Sequence, residues 1–345
     1  MSQPTIRKIA EAAGVSVAAV SYVLNGKKGV SEKKREQILS LIKEMNYTPN
    51  LNSRRLILKR SFNLMVSLDT NVSTLNNSFY TEVLSAIVNR ATELGYNIVL
   101  YSDNISENND SLFHALDQKN ADGIVFLRDI SSELQSSIEK MGVPFVVVDS
   151  HRTNPDYPCV RSDNNLASYI ATKHLLDLGH RRIAFIGMDR LPDFYVRTFL
   201  GYKRALSEFS VPIHPDWIQP DAYDENSAQQ CMARILDCSE VPTAVFCASD
   251  LYAIGAMNYI QQHGYLVPHD FSICGIDNIP FSRYYYPALT TVHIDAKKMG
   301  TSAVDILTSL INGESSMPQE CISSDQLIIR NSTMALNSVY TSDMV

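Results

Sequence analysis

The sequence predicts an α/β protein of two unlike parts: an N-terminal all-α helix-turn-helix head, then a core of two doubly wound parallel-sheet lobes. Three observations carry this. The first sixty residues are basic and the rest are acidic. Three short amphipathic stretches separated by capping residues fill the N-terminal end. From residue 64 onward, continuous apolar runs alternate with helical stretches every 25–30 residues.

The head is built in order from its caps. Thr5 precedes Ile6, Ile9, Ala10 and Ala13, one face of a helix that Gly14 ends. Ser16 caps a second helix carrying Val20, Val23 and Leu24, stopped at Asn25-Gly26. Ser31 caps a third, with Ile38, Leu41, Ile42 and Met45 on one face. Two short helices joined by a tight Gly-containing turn, followed by a third, make a helix-turn-helix. Burying those faces leaves Val17, Ala18, Ala19, Ser21 and Tyr22 on the outer side of the second helix. In this motif that helix lies in the DNA major groove. Charge agrees: residues 1–60 hold twelve Lys and Arg against four Glu, a surplus of eight positive charges. The remainder holds 18 basic and 33 acidic residues, a surplus of fifteen negative ones. A cationic end on an anionic body points to a nucleic-acid-binding head on a carrier with another task.

In the body the apolar runs are Leu64–Leu68, Ile98–Tyr101, Ile124–Leu127, Phe145–Val148, Ile183–Ile186, Ala244–Cys247 and Ile273–Ile276. They are unbroken rather than alternating, as parallel strands covered on both faces require. Helices are expected at 80–94, 164–178, 226–237, 250–263 and 297–311. The halves echo each other: Val143-Pro144 leads into Asp149, and Val267-Pro268 into Asp277. Two similar sheets suggest two lobes with a cleft. Ligands of such sheets bind beyond the carboxyl ends of strands, which selects Asp69, Arg128 and Asp149 in one lobe and Ser249, Asp250 and Asp277 in the other. Paired carboxylates suit a ligand with several hydroxyl groups, and Tyr80 and Tyr223 are candidates to cover its ring. A strand-end Asp can instead cap the following turn, and Asp250 reads as a helix N-cap.

The head motif is more specific than a generic helix-turn-helix. The run TIRKIAEAAGVSVAAVSYVLN from Thr5 to Asn25, then VSEKKR from Val30 to Arg35 and MNYTPN from Met45 to Asn50, resembles the lactose-repressor/galactose-repressor family of transcriptional regulators. The resemblance continues through the body to about residue 333. It implies a DNA-binding domain over 1–46, a hinge helix over 47–60, and a periplasmic-binding-protein-like core over 61–345. The chain would cross between lobes near 162, 292 and 324, giving one lobe from about 61–162 and 293–324 and another from about 163–292 and 325–340. Val17, Ala18 and Tyr22 would meet bases. Thr5, Ser16, Ser21, Asn25 and Ser31 would meet phosphates. Asn50, Ser53 and Arg54 of the hinge would join them, with Leu56 as the wedge that enters the minor groove. Ala19 stands where the family often has Thr, and Tyr22 where it often has Arg, so readout should lean on methyl contacts and Tyr22 rather than Arg–guanine pairs.

For the effector, Asp149, Tyr223, Ser249 and Asp277 match the family's contact positions. The family's effector-binding Arg lies three residues before a Gly-aromatic pair. Here Gly201-Tyr202 has Thr198 at that offset, so either Arg197 or Arg190 takes the role. A polar contact after the Leu289-Thr-Thr turn is altered to Val292-His293-Ile294. The expected partners are double-stranded operator DNA, a small effector of sugar type, and a second copy of the chain. The dimer surface is expected on helices near 80–94 and 297–311. Whether the effector releases or strengthens DNA binding stays open.

Other classes are weighed against this. No Gly-x-Gly, G-x-x-x-x-G-K, G-x-S-x-G or H-E-x-x-H pattern occurs, and no C-x-x-C pair, so no enzyme, cofactor or metal is expected. His151, His174, His180 and His293 read as surface or packing residues. Cys247 and Cys274 read as small core residues. No apolar run spans a membrane, and the start MSQPTIRK carries no apolar leader, so a cytoplasmic place is expected. A transport-type sugar-binding protein shares such a body but not the basic head. A regulator governed by a protein partner is the other alternative.

Overall fold

The computed structural model describes residues 5–24, 29–45, 47, 60–69, 74–103, 110–152, 154–189, 192–314, 318–323 and 325–336. The chain divides into two compact units, residues 1–62 and 63–345.

The first unit contains helices Ile6–Ala13, Val17–Leu24 and Glu32–Glu44. Thr5 caps the first through its hydroxyl, which accepts from Lys8 N, and Gly14 closes it at φ +63°. That left-handed backbone favours glycine. Ser16 Oγ accepts from Ala19 N at 3.1 Å and so starts the second helix. Ser31 occupies the N-cap of the third but makes no side-chain capping bond, contrary to expectation. Ile9, Ala10, Ala13, Val20, Val23 and Ile38 form the core, with Leu41, Ile42 and Met45 packed on it.

The second unit holds two six-stranded sheets. The first has strands β1 (Asn63–Asp69), β2 (Asn97–Asp103), β3 (Gly123–Phe126), β4 (Phe145–Val148), β5 (Cys159–Ser162) and β11 (Gln319–Ile322), in the order β11-β5-β4-β3-β1-β2. All its pairings are parallel. The second has β6 (Ile183–Ile186), β7 (Ile218–Gln219), β8 (Ala244–Cys247), β9 (Ser272–Asp277), β10 (Thr290–His293) and β12 (Leu327–Ile328), in the order β12-β10-β9-β8-β6-β7. Only β12 runs antiparallel. The two orders are superimposable strand for strand, so the sequence echo is a structural repeat.

Each sheet is covered on both faces. On β3, Val125 packs towards helices Ser78–Glu93 and Ala296–Ile311, and Ile124 and Phe126 towards Asp110–Asp117 and Ser132–Met141. On β6, Phe185 lies with Tyr202 of helix Pro192–Glu208, and Ile186 with helices Glu225–Leu236 and Asp250–Gln262. Two-sided burial is why these strands read as unbroken apolar runs. Cys247 and Cys274 are fully buried in these cores.

The chain changes sheet three times. Leaving β5, it enters helix Asn164–Asp177, which packs on β9 and β10. Leaving β10, it enters helix Ala296–Ile311, which packs on β3 and β4. Leaving β11, it pairs as β12 in the second sheet. Helices 164–177 and 192–208 cross so closely at Gly201 that a Cβ there would strike the Asn165 carbonyl and Ser168. No helix among the described residues is long and apolar enough to cross a membrane.

Candidate functional site

Two surfaces gather the sequence-selected residues. The first is the outer face of helix 17–24. Val20 and Val23 turn inward, which leaves Val17 41% and Tyr22 45% exposed. Ala18 and Ser16 are exposed with them, and Ser21 is half-buried. The Tyr22 ring lies against Gly29, where an added Cβ would sit 3.2 Å from the ring edge. An exposed Val and Tyr beside a helix N-terminus form a small apolar and hydrogen-bonding surface. Thr5 and Ser31 are also exposed. One of the surplus cations is spoken for: Lys34 Nζ donates to the Ala13 carbonyl at 2.9 Å, closing the end of the first helix. Asn25, Asn50, Ser53, Arg54 and Leu56 lie outside the described residues.

The second surface lies between the lobes, at the carboxyl ends of the strands. Asp149 follows β4 and is buried, with its backbone at φ +61°. Tyr80 Oη donates to Asp149 Oδ2 at 2.7 Å. His151 Nε2 stands 3.4 Å from the same oxygen. Burial opposes the Asp149 charge, but His151 and Tyr80 outweigh it and hold the carboxyl below its ordinary range. Burial likewise opposes charge on His151, and Asp149 overcomes it, raising the imidazole above its ordinary value. Burial and the Asp149 charge push the Tyr80 phenol well up. Tyr80 is thus a hydrogen-bond donor held by Asp149, rather than only a ring face.

In the second lobe Ser249 Oγ donates to Asp277 Oδ2 at 2.8 Å and accepts from Leu251 N, so Ser249 is the N-cap of helix 250–262. The sequence suggested Asp250 as that cap, and the structure corrects this. Asp250 is the first helical residue, wholly buried, and accepts Ile279 N at 3.0 Å and the Thr291 hydroxyl. Burial pushes its carboxyl up to about 7. Asp277 is pushed well above the ordinary carboxylate range by burial, then by the Asp250 charge, with Asp149 adding to it. Asp149 and Asp277 therefore sense each other, as do Tyr80, Asp277 and Tyr252.

His151 is not a surface residue. It is 5% exposed, in contact with Asn164 at the crossing from β5 and with the Phe194 ring at 4.9 Å. Arg197 approaches the same place, with Nη2 donating to the Arg152 carbonyl at 3.3 Å. Thr198 points elsewhere: it is fully buried and its hydroxyl donates to Phe194 and Tyr195 carbonyls. About 100° separates successive helical residues, which is why Arg197 reaches the cleft side and Thr198 does not. Arg190 lies outside the described residues. Arg128 is half-buried beside Asp129, and burial lowers its pKa. Asp129 organises the loop after β4, accepting Ser150 Oγ at 2.7 Å, His151 N at 2.9 Å and Tyr157 Oη at 2.6 Å. Tyr223 is 47% exposed and its backbone N–H donates to Ser227 Oγ at 2.9 Å. Sequence reasoning missed His151, Phe194 and Tyr252. The only signal for His151 was its place two residues past the strand-end Asp. His293 bonds Asn278 at 3.2 Å, and His180 is buried between Thr243 and the Met334 carbonyl. No group of three or more His, Cys, Asp or Glu among the described residues could hold a metal.

Residues 5–50 match the model for bacterial regulatory proteins of the lacI family, and residues 172–333 that for a periplasmic binding protein-like domain. The chain is 30% identical to the HTH-type transcriptional repressor PurR of Mannheimia succiniciproducens over 335 residues, covering 95% of this chain and 98% of that one. It is 31% identical to the ribose operon repressor of Haemophilus influenzae over 338 residues, covering 96% and 99%. Among solved structures it resembles the lac repressor dimer bound to operator and the anti-inducer ONPF, with TM-score 0.79, 26% identity and coverage of 97% and 100%. It also resembles the transcriptional regulator CelR in complex with cellobiose, with TM-score 0.73, 26% identity and coverage of 95% and 99%. The chain belongs to the lacI family of bacterial regulatory proteins.

Proposed function

We propose that this chain is a cytoplasmic, dimeric transcriptional repressor whose grip on operator DNA is set by a small ligand bound between its lobes. The observation that carries the DNA reading is the uncovered face of helix 17–24. Val17, Ala18 and Tyr22 are outward while Val20 and Val23 are buried, the arrangement a recognition helix needs to reach base edges. Thr5, Ser16, Ser21, Asn25 and Ser31 would anchor phosphates. Asn50, Ser53, Arg54 and Leu56 carry the hinge role that the family implies, with Leu56 entering the minor groove.

The ligand reading rests on the opposed strand-end carboxylates, Asp149 with Tyr80 and Asp277 with Ser249. Such oxygens accept paired hydroxyl hydrogen bonds, which favours a sugar or sugar derivative, while Arg197, Arg128 and Tyr223 frame the site. Relatives named PurR make a nucleobase the second reading, while one named for the ribose operon agrees with a sugar. A second copy of the chain is expected against helices 78–93 and 296–311, so that two heads read two half-sites. Ligand acts through its differential affinity for two lobe arrangements.

The test is fluorescence anisotropy on genomic duplex fragments, with and without a panel of sugars and nucleobases. Removal of residues 1–60 should abolish duplex binding and leave a folded dimer. A monomeric remainder contradicts the dimer surface, and a panel compound that binds without changing duplex affinity contradicts the coupling.

A further inference from the structure

Helix Val17–Leu24 carries no charged side chain and no side-chain amide. Guanidinium and carboxamide groups, which pair two bonds at a time with guanine and adenine edges, are therefore missing from it. At about 100° per residue, Val17, Ser21, Ala18 and Tyr22 follow one another around an arc of about 140°, and Val20 and Val23 take the buried side. Ala18, with a single methyl group, sits between the branched Val17 and the Tyr22 ring, and all three are exposed. Ala18 and Tyr22 are four residues apart and so are neighbours on the helix surface. The short side chain between two longer ones leaves an apolar recess. Its Tyr22 wall is backed from behind. The Gly29 backbone, at φ +127°, comes so close that a Cβ there would lie 3.2 Å from one ring-edge carbon of Tyr22 and 3.4 Å from the next. Glycine allows both that backbone and that approach.

The major groove offers such a recess one apolar group, the methyl on pyrimidine C5. Thymine carries it and cytosine does not, whereas 5-methylcytosine carries it at the same place. From this face we infer that the head reads the C5-methyl group of a pyrimidine, in thymine and in 5-methylcytosine alike, so that DNA affinity follows cytosine methylation at that position. The inference rests on helix 17–24 being the recognition helix. It adds the chemical group that is read and a modification of the DNA to which the protein responds. Gly29 is a positioning residue in this scheme, holding the Tyr22 ring as one wall.

The experiment uses the full chain and a duplex enriched from a random-sequence library, with fluorescence anisotropy as the readout. Each thymine is replaced in turn by deoxyuridine, which removes the methyl group and keeps the base pair. At one position or more in a half-site, uracil should weaken binding about fourfold, the worth of one buried methyl group. At that position 5-methylcytosine paired with guanine should bind about fourfold tighter than cytosine paired with guanine. Uracil should leave the slope of affinity against salt unchanged, because no phosphate contact is lost. In Val17→Ser and in Tyr22→Ala the thymine-to-uracil ratio should fall towards one. Gly29→Ala should lower that ratio in the wild-type background and leave it unaltered beside Tyr22→Ala, with unfolding temperatures checking that each variant is folded. Uracil that binds as well as thymine at every position overturns the methyl reading and leaves the recognition helix standing. So does a uracil loss that survives in both Val17→Ser and Tyr22→Ala. A Gly29→Ala effect equal in the two backgrounds overturns the positioning role. Failure of the chain to bind any duplex at low ionic strength overturns this inference and the recognition-helix reading together.

Discussion

Asp149 and Asp277 occupy the same position in two copies of one sheet, yet their carboxyl groups are driven in opposite directions. Each ends the third strand of an equivalent order, and each holds left-handed backbone, φ +61° and +114°. Asp149 is held down by His151 and Tyr80, whereas Asp277 is pushed up by burial and by Asp250. Such backbone is costly for a residue other than glycine, at about 1–3 kcal/mol, and persists where the surroundings enforce it.

The contrast predicts unequal mutations. Asp149→Asn removes a charge held by two partners and should weaken effector binding about tenfold or more, equivalent to about 1.4 kcal/mol. Asp277→Asn imitates the neutral form and should cost less than about threefold, with the Ser249 hydroxyl bond kept. Calorimetry with the first ligand found would check both, and equal losses would remove the distinction.

The Asp149–His151 pair should shape stability against pH. The His151 value is raised in the folded chain, so its contribution is complete below about 6.5 and fades as pH rises through the folded value. The Asp149 value is lowered, so its contribution is present above about 3.8 and fades as pH falls through the folded value. His151→Gln should therefore lower the unfolding temperature most between about pH 4 and 6.5, and progressively less above, in melting curves taken across that range. A deficit that grows with pH would contradict the pair.

Asp250 has the opposite sign. Its carboxyl is raised to about 7, so the folded chain favours the protonated form. Stability from this site is present at low pH and is lost as pH rises from about 4 towards 7. Asp250→Asn keeps an acceptor for Ile279 N, and its amide N–H then faces a Thr291 hydroxyl that must turn from donor to acceptor. It should flatten the fall in unfolding temperature between pH 4 and 7, measured by calorimetric scans.

Much of this was legible in the sequence, for identifiable reasons. Six of the seven apolar runs became strands because two-sided burial leaves no alternation to confuse them, while β2 is an edge strand with Val99 and Leu100 exposed. The head helices followed from Thr5, Gly14 and Ser16, whose roles are local. Strands β5, β7, β10, β11 and β12 were not singled out. Cys159–Ser162 and Gln319–Ile322 carry Arg161 and Glu320, and the rest are short or polar. Helix Pro192–Glu208 was not singled out, although Tyr195, Phe199 and Tyr202 all pack on Phe185 from one face. Strand ends located Asp149, Ser249 and Asp277. Tyr80 against Asp149 and Asp250 against Asp277 are long-range pairings that no local spacing encodes, whereas His151 stands two residues past Asp149. Asp250 looked like a cap because Ser249 and Asp250 are both good caps. Only burial beneath Thr291 tells them apart.

The central claim is that the outward face of helix 17–24 reads DNA. The most direct measurement is the affinity of full-length protein for a duplex enriched from genomic fragments, with Tyr22→Ala and Val17→Ser beside the wild type, across a salt series. The wild type should prefer the enriched duplex over a scrambled one, and its affinity should fall steeply as salt rises, because phosphate contacts release counterions. Each substitution should cost about 1–3 kcal/mol on the enriched duplex and little on the scrambled one. Wild-type protein that binds no duplex at low ionic strength, or variants that keep the full preference, would contradict the account.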